Sequence, residues 1–183
     1  TVTVASVNDA PVADDSVVLT MAEDGTLTIT EAQLLGSSSD ADGDALHVDS
    51  LQLTSGGGAL TLVADGAYEG ARSWTFTPAQ DFSGAVALSY NVTDGTTPVS
   101  ATASITVASV NDDPVITTAA GQASGSVEED VVLSATGQLS SSDVDVLGQT
   151  ATWSGDASGT YGSISVDPAT GVWTYTFDND QIG

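Results

Sequence analysis

Apolar residues recur at every second position along most of the chain. The alternation is clear at residues 16–21 (SVVLTM), 26–30 (TLTIT), 46–54 (LHVDSLQLT), 59–63 (ALTLV), 72–78 (RSWTFTP), 85–95 (AVALSYNVTDG) and 99–110 (VSATASITVASV). Thr, Val and Ile dominate these runs, and Gly, Asp, Ser and Pro separate them, which is the signature of short strands joined by turns. Helical periodicity is nearly missing. The best candidate is residues 30–37 (TEAQLLGS), long enough for about one turn. Seven short strands in about 100 residues predict an all-β, immunoglobulin-like sandwich of two sheets.

The pattern then repeats. VASVNDAPV at 4–12 returns as VASVNDDPV at 107–115, 103 residues later with one difference. A period of this size predicts tandem modules. The second set of runs is SVEEDVVLS (126–134), SSSDVD (140–145), TATWSG (150–155) and YGSISVDPATGVWTYTFDND (161–180), the last a hairpin about DPATG. The expected division is residues 1–10 as the end of a preceding module and its linker, 11–110 as a complete sandwich, 111–114 as a linker, and 115–183 as an incomplete sandwich lacking its last strands. The chain reads as a fragment of a longer protein.

Composition narrows the chemistry. Among 183 residues there are 25 carboxylates, one arginine (Arg72), no lysine and one histidine (His47), for a net charge of −24. Such a chain has no cationic footprint for nucleic acid or for anionic membrane surfaces, and its field favours cations. With no cysteine there is neither a disulfide framework nor a thiolate metal site. No run of 18 apolar residues occurs, so membrane insertion by a helix is not expected.

Alternating strands place the acidic segments at the ends of the sandwiches. At the exit end of the first module the expected group is Glu23, Asp24 and Asp81, joined by the linker residues Asn111 and Asp112 and by Asp143 and Asp145 of the next module. At the opposite end, Asn8 and Asp9 should meet Asp40, Asp42, Asp44 and Asp94, and Glu129 and Asp130, with Asp178, should mark the far end of the second module. Two like charges about 4 Å apart repel by about 1 kcal/mol in water and about 4 kcal/mol near a protein surface. Clusters of this size therefore call for counter-cations. Ca²⁺ takes ~6–8 oxygen ligands in irregular geometry; Mg²⁺ demands a stricter octahedron, and Zn²⁺ prefers nitrogen or sulfur. DADGD is not an EF-hand loop, since glycine falls at its fourth position and Leu51 at its twelfth. Nothing resembles a nucleophile elbow, a phosphate loop or a Ser/His/Asp set, so catalysis is not expected. Trp74, Trp153 and Trp173 are expected in strands as core residues, His47 at the surface, and Arg72 beside a carboxylate.

Several segments resemble the cadherin-like repeats of giant bacterial surface adhesins of the RTX type: VNDAPV, AEDG, SSSDADGDAL, DFSGAVALSYNVTDG and SITVASVNDDPV. The second module resembles the related VCBS repeat through VEED, GQLSSSDVD and GTYGSISVDPATGVWTYTFDND. The resemblance implies Ca²⁺ ligation by Glu23, Asp81, Asn111, Asp112, Asp143 and Asp145, although Asp81 stands in PAQDFSG, where cadherins carry a different acidic motif. It implies a secreted, cell-surface extender that stiffens with calcium, contacts neighbouring repeats of its own chain, and supports adhesion and biofilm formation. A sugar- or peptide-binding module of the same adhesin, its second sandwich split or completed by another segment, is the alternative reading.

Overall fold

The computed structural model describes residues 1–5, 7–64, 72–145 and 151–181. The chain forms two compact units, Thr1–Val110 and Asn111–Gly183.

Unit 1 is a sandwich of two sheets. Its strands are β1 (Val17–Ala22), β2 (Leu27–Thr30), β3 (His47–Ser55), β4 (Gly58–Ala64), β5 (Ser73–Pro78), β6 (Gly84–Thr93) and β7 (Pro98–Ala108), with one short helix, α1 (Glu31–Leu35), after β2. One sheet has the order β1-β7-β6-β3 and the other β2-β5-β4. All pairings are antiparallel except β1 with β7, which is parallel. Alternation along β6 turns Val86, Leu88, Tyr90 and Val92 inward, and along β7 it turns Ala101, Ala103, Ile105 and Val107 inward. They form one core with Ile29, Trp74 and Phe76 of the opposite sheet. Burial of each large apolar side chain contributes about 1.5–3 kcal/mol.

α1 is one turn closed by a capping box. The Thr30 side chain accepts from the Gln33 N–H at 3.3 Å, and the Gln33 side chain accepts from the Thr30 N–H at 2.9 Å. Glu31, fully buried, accepts from the Val48 N–H at 2.8 Å and from the Arg72 N–H at 3.4 Å. The His47 ring nitrogen lies 3.6 Å from the same carboxylate. The Arg72 guanidinium bonds the Val48 carbonyl at 2.7 Å and Asp49 at 2.5 Å. Thus the one histidine of the sequence lies beside the buried Glu31 carboxylate, and the one arginine reaches it through its backbone N–H while its side chain pairs with Asp49.

Unit 2 contains β8 (Val115–Ile116), β9 (Ser134–Gln138), β10 (Ser141–Ser142), β11 (Ala157–Gly159), β12 (Gly162–Val166), β13 (Val172–Phe177) and a terminal 3₁₀ turn, η1 (Asn179–Gln181). Its main sheet runs β11-β12-β13-β9, and β8 pairs separately with β10. The β12–β13 hairpin turns through Asp167–Gly171, where the Asp167 carboxylate accepts from Thr170 and Ala169 and is thereby held below its ordinary pKa.

One expectation for unit 2 needs correction. Residues 151–155 are not a strand, and Trp153 lies outside any ladder: its backbone N–H donates to the Pro168 carbonyl at 3.0 Å. In unit 1 the corresponding strand, β3, pairs with β6, and the described residues of unit 2 offer no counterpart of β6. The acidic residues 128–132 form a tight turn, with Glu128 bridged to Val132, before β9 begins at Ser134.

Candidate metal centre

The incoming linker of unit 1 is fastened to the loop between α1 and β3. Val12 and Ser39 exchange both backbone hydrogen bonds, at 2.7 and 2.9 Å. This bridge brings Asn8 and Asp9 alongside the DADGD segment and the β6–β7 turn. The Asp9 N–H donates to Asp42 at 2.7 Å, and the Asn8 side-chain amide donates to Asp94 at 2.8 Å and to its neighbour's carbonyl at 3.0 Å. Asp40, Asp42 and Asp44 each present a carboxylate oxygen within 4.8 Å of the others.

The DADGD backbone makes this crowding possible. Gly43 adopts φ +77°, a conformation that glycine takes without strain and that curls the loop around Asp40. One Asp40 oxygen accepts from the N–H groups of Asp42 and Asp44 at 2.8 and 3.3 Å. The other is buried and has no hydrogen-bond partner among the described residues. A buried carboxylate oxygen without a donor is costly, and a water or a cation beside it relieves that cost. Asp94 is held below its usual pKa by the Thr97 N–H, the Asn8 amide and the Thr96 N–H, and so stays an anion. The assembled donors are hard oxygens, the carboxylates of Asp40, Asp42, Asp44 and Asp94 and the Asn8 amide with Asp9 beside them, which suit Ca²⁺ and offer nothing to a soft metal.

Unit 2 repeats this geometry 103 residues later. Val115 pairs with Ser142 as Val12 pairs with Ser39. The Asn111 amide donates to the Asp112 carbonyl at 2.9 Å, the Asp112 N–H donates to Asp145, and the Asp145 N–H donates to Asp143 at 3.0 Å. The third acidic position of DADGD has no equivalent: DVDVL places Leu147 there.

The remaining predicted ligands are distributed as follows. In unit 1, Glu23 is only 7% exposed and accepts from the Val110 N–H at 2.6 Å, while Asp24 and Asp81 sit in exposed turns. Asp81 has φ +56°. In unit 2, Glu129 is exposed, and Asp130, at φ +60°, exchanges hydrogen bonds with Asn179 at 3.0 and 2.7 Å rather than with another carboxylate. Asp178 accepts from the Asp180 N–H at 3.2 Å. Asn179 escaped sequence reasoning because the repeat does not include it.

A two-sheet sandwich of seven strands with a parallel β1–β7 edge, its incoming linker tied to acidic loops, defines an immunoglobulin-like β-sandwich module. Residues 7–108 match the family described as cadherin-like domain, and the chain belongs to that family. Among solved structures it resembles a fragment of human CDH23 (EC21-23) at 15% identity and TM-score 0.52, covering 94% of this chain and 55% of that one. It also resembles the protocadherin GammaB4 extracellular domain at 19% identity and TM-score 0.49, covering 93% of this chain and 28% of that one. An endo-fucoidan hydrolase, MfFcnA4_H294Q of glycoside hydrolase family 107, matches at 26% identity and TM-score 0.39, over 55% of this chain and 14% of the enzyme. The chain therefore spans about half the length of the CDH23 fragment and a small part of the hydrolase. No curated protein matches it. Among the described residues, no helix is long and apolar enough to cross a membrane.

Proposed function

We propose that this chain is a calcium-dependent spacer of a large extracellular adhesin of the bacterial cell surface. In this reading Ca²⁺ binds Asn8, Asp9, Asp40, Asp42, Asp44 and Asp94 in unit 1, and the shorter set Asn111, Asp112, Asp143 and Asp145 in unit 2. The observation that carries the reading is the buried Asp40 oxygen without a donor, among carboxylates that the chain's own backbone holds together. Glu23, Asp24, Asp81, Glu129 and Asp130 are further candidate ligands, each needing donors beyond its own turn. The ion's contribution is charge neutralisation and crosslinking: it would fix the linker against two loops and so set the direction in which the chain enters the sandwich. That is the property required of a stiff extender, which contacts its neighbouring repeats and carries adhesion without chemistry of its own.

Titration calorimetry of the chain with CaCl₂ tests this. Saturable binding that Asp40→Asn weakens at least tenfold, with MgCl₂ far weaker, is the expected result. Equal heats for wild type and variant, or no saturable heat, overturns the proposal.

A further inference from the structure

Three Asp-Gly pairs lie among the described residues: Asp24–Gly25, Asp42–Gly43 and Asp94–Gly95. A fourth, Asp65–Gly66, falls outside them. An aspartate before glycine can close a five-membered ring on its own backbone, because glycine has no Cβ to hinder the approach of its nitrogen to the aspartate side chain. The step needs two free partners. The glycine N–H must not be held by another acceptor, and the carboxyl group must be able to turn back over its own chain. By sequence the three pairs are equal, and their hydrogen bonds separate them.

At Asp94–Gly95 both partners are tied. The Gly95 N–H donates to the Thr93 hydroxyl at 3.0 Å. The Asp94 carboxylate accepts from the Thr96 and Thr97 N–H groups at 2.6 and 2.7 Å and from the Asn8 amide at 2.8 Å. At Asp24–Gly25 the Gly25 N–H donates to the Ala22 carbonyl at 3.2 Å. Asp42–Gly43 differs. The flanking N–H groups of Asp42 and Asp44 both donate to Asp40, but the Gly43 N–H has no acceptor among the described residues. The Asp42 side chain is held by a single donor, the Asp9 N–H at 2.7 Å. Both residues are exposed, and a Cβ built on Gly43 would meet nothing within 4 Å, so the ring has room to form.

We propose that Asp42 is the residue at which the folded chain converts to isoaspartate, by reaction with water alone. The Gly43 nitrogen bonds to the side-chain carboxyl carbon of Asp42. One carboxyl oxygen leaves as water, taking the amide proton and one proton from solvent. Water then adds to the succinimide at the main-chain carbonyl carbon of Asp42. The bond from that carbon to nitrogen breaks, the nitrogen regains a proton, and the new carboxylate releases one to solvent. Mass is unchanged, but the main chain gains one methylene, about 1.5 Å, in the middle of the Asp40, Asp42 and Asp44 group. The modification therefore dismantles that group. In one respect it rests on the calcium reading: an ion bound there holds the Asp42 carboxylate and slows the reaction, so isoaspartate records time spent without the ion.

The 183-residue chain is aged at neutral pH in chelator and in CaCl₂ at matched ionic strength. Isoaspartate is then located by isoaspartyl methyltransferase labelling and mass spectrometry of peptic peptides. In chelator, label at Asp42 is expected at least fivefold above label at Asp24 and at Asp94. CaCl₂ should lower the label at Asp42 at least fivefold, and Asp40→Asn should lose that protection while keeping the rate seen in chelator. Label at Asp24 or Asp94 that equals or exceeds label at Asp42 overturns the proposal. So does label at Asp42 that appears only when the chain is unfolded in urea. If label concentrates at Asp42 but calcium gives neither protection nor saturable heat, the calcium reading fails and the modification site stands. Saturable heat without protection overturns the coupling between the two.

Discussion

Asp14 joins the start of the first strand to the end of the helical turn. Its carboxylate accepts from the Ser16 hydroxyl and N–H at 2.6 and 2.8 Å and from the Ser37 N–H and hydroxyl, both at 2.9 Å. Between them lies Gly36 at φ +51°, where a Cβ would come within 2.5 Å of the carboxylate. These bonds, the Ser16 hydroxyl first and the Ser37 N–H next, hold the Asp14 pKa well below the ordinary carboxylate range. In the unfolded chain the same group titrates near about 3.9. A carboxyl whose pKa is depressed by folding stabilises the fold above its unfolded pKa, and that contribution is lost as pH falls toward the folded value. Asp14→Asn should therefore lower Tm at pH 7, and the gap to wild type should shrink progressively below about pH 4. A gap that stays constant from pH 7 to pH 2 contradicts the account. Behind this clasp, burial, then the charges of Asp14 and Asp15, push the Tyr90 hydroxyl up to about 12, so it remains a donor to the Leu34 carbonyl at 2.8 Å. Glu31 is a different case, a buried acceptor on which a strand amide depends. Glu31→Ala would leave the Val48 N–H unsatisfied and cost about 1–3 kcal/mol, with Glu31→Gln milder, as read by urea denaturation.

At the scale of elements, α1 is too short to stand alone, and its capping box matters accordingly. Thr30→Ala should cost about 1 kcal/mol of unit 1 stability, seen as a lower urea midpoint at unchanged slope. This turn, and the seven strands of unit 1, were legible in the sequence because most strands alternate and each finds a neighbour, although β3 breaks its alternation at Ser50, where φ is +57°. The parallel pairing of β1 with β7 was not, since alternation says which residues face inward but nothing about direction. Residues 151–155 show the converse. TATWSG has the pattern of a strand, yet a strand exists only through a partner ladder, and here Trp153 bonds the turn at Pro168 instead. The meeting of Asn8, Asp9, Asp40, Asp42, Asp44 and Asp94 could be anticipated from the repeated linker and the alternation of strand ends. The unsatisfied oxygen of Asp40 could not, because it depends on how Gly43 folds the loop.

For the whole molecule, the balance between general repulsion and specific ion binding decides the outcome. A net charge of −24 on 183 residues disfavours compactness, and any salt relieves part of that by screening, with a Debye length of about 10 Å at 0.1 M. A site that captures an ion only in the folded state adds RT ln(1 + [L]/Kd), about 2.7 kcal/mol at one hundred times Kd. The two effects separate at matched ionic strength. In chelator, NaCl should raise Tm gradually and alike in wild type and in Asp40→Asn. Calcium at low millimolar concentration should raise the wild type well beyond the NaCl control, and MgCl₂ should not reproduce the gain, because Mg²⁺ demands a stricter octahedron and sheds its waters reluctantly. Asp40→Asn should lose the part of the calcium gain that belongs to unit 1, and Asp145→Asn the part that belongs to unit 2. If the calcium effect equals that of magnesium, and neither substitution reduces it, the carboxylates act only as a diffuse field and the spacer reading loses its basis.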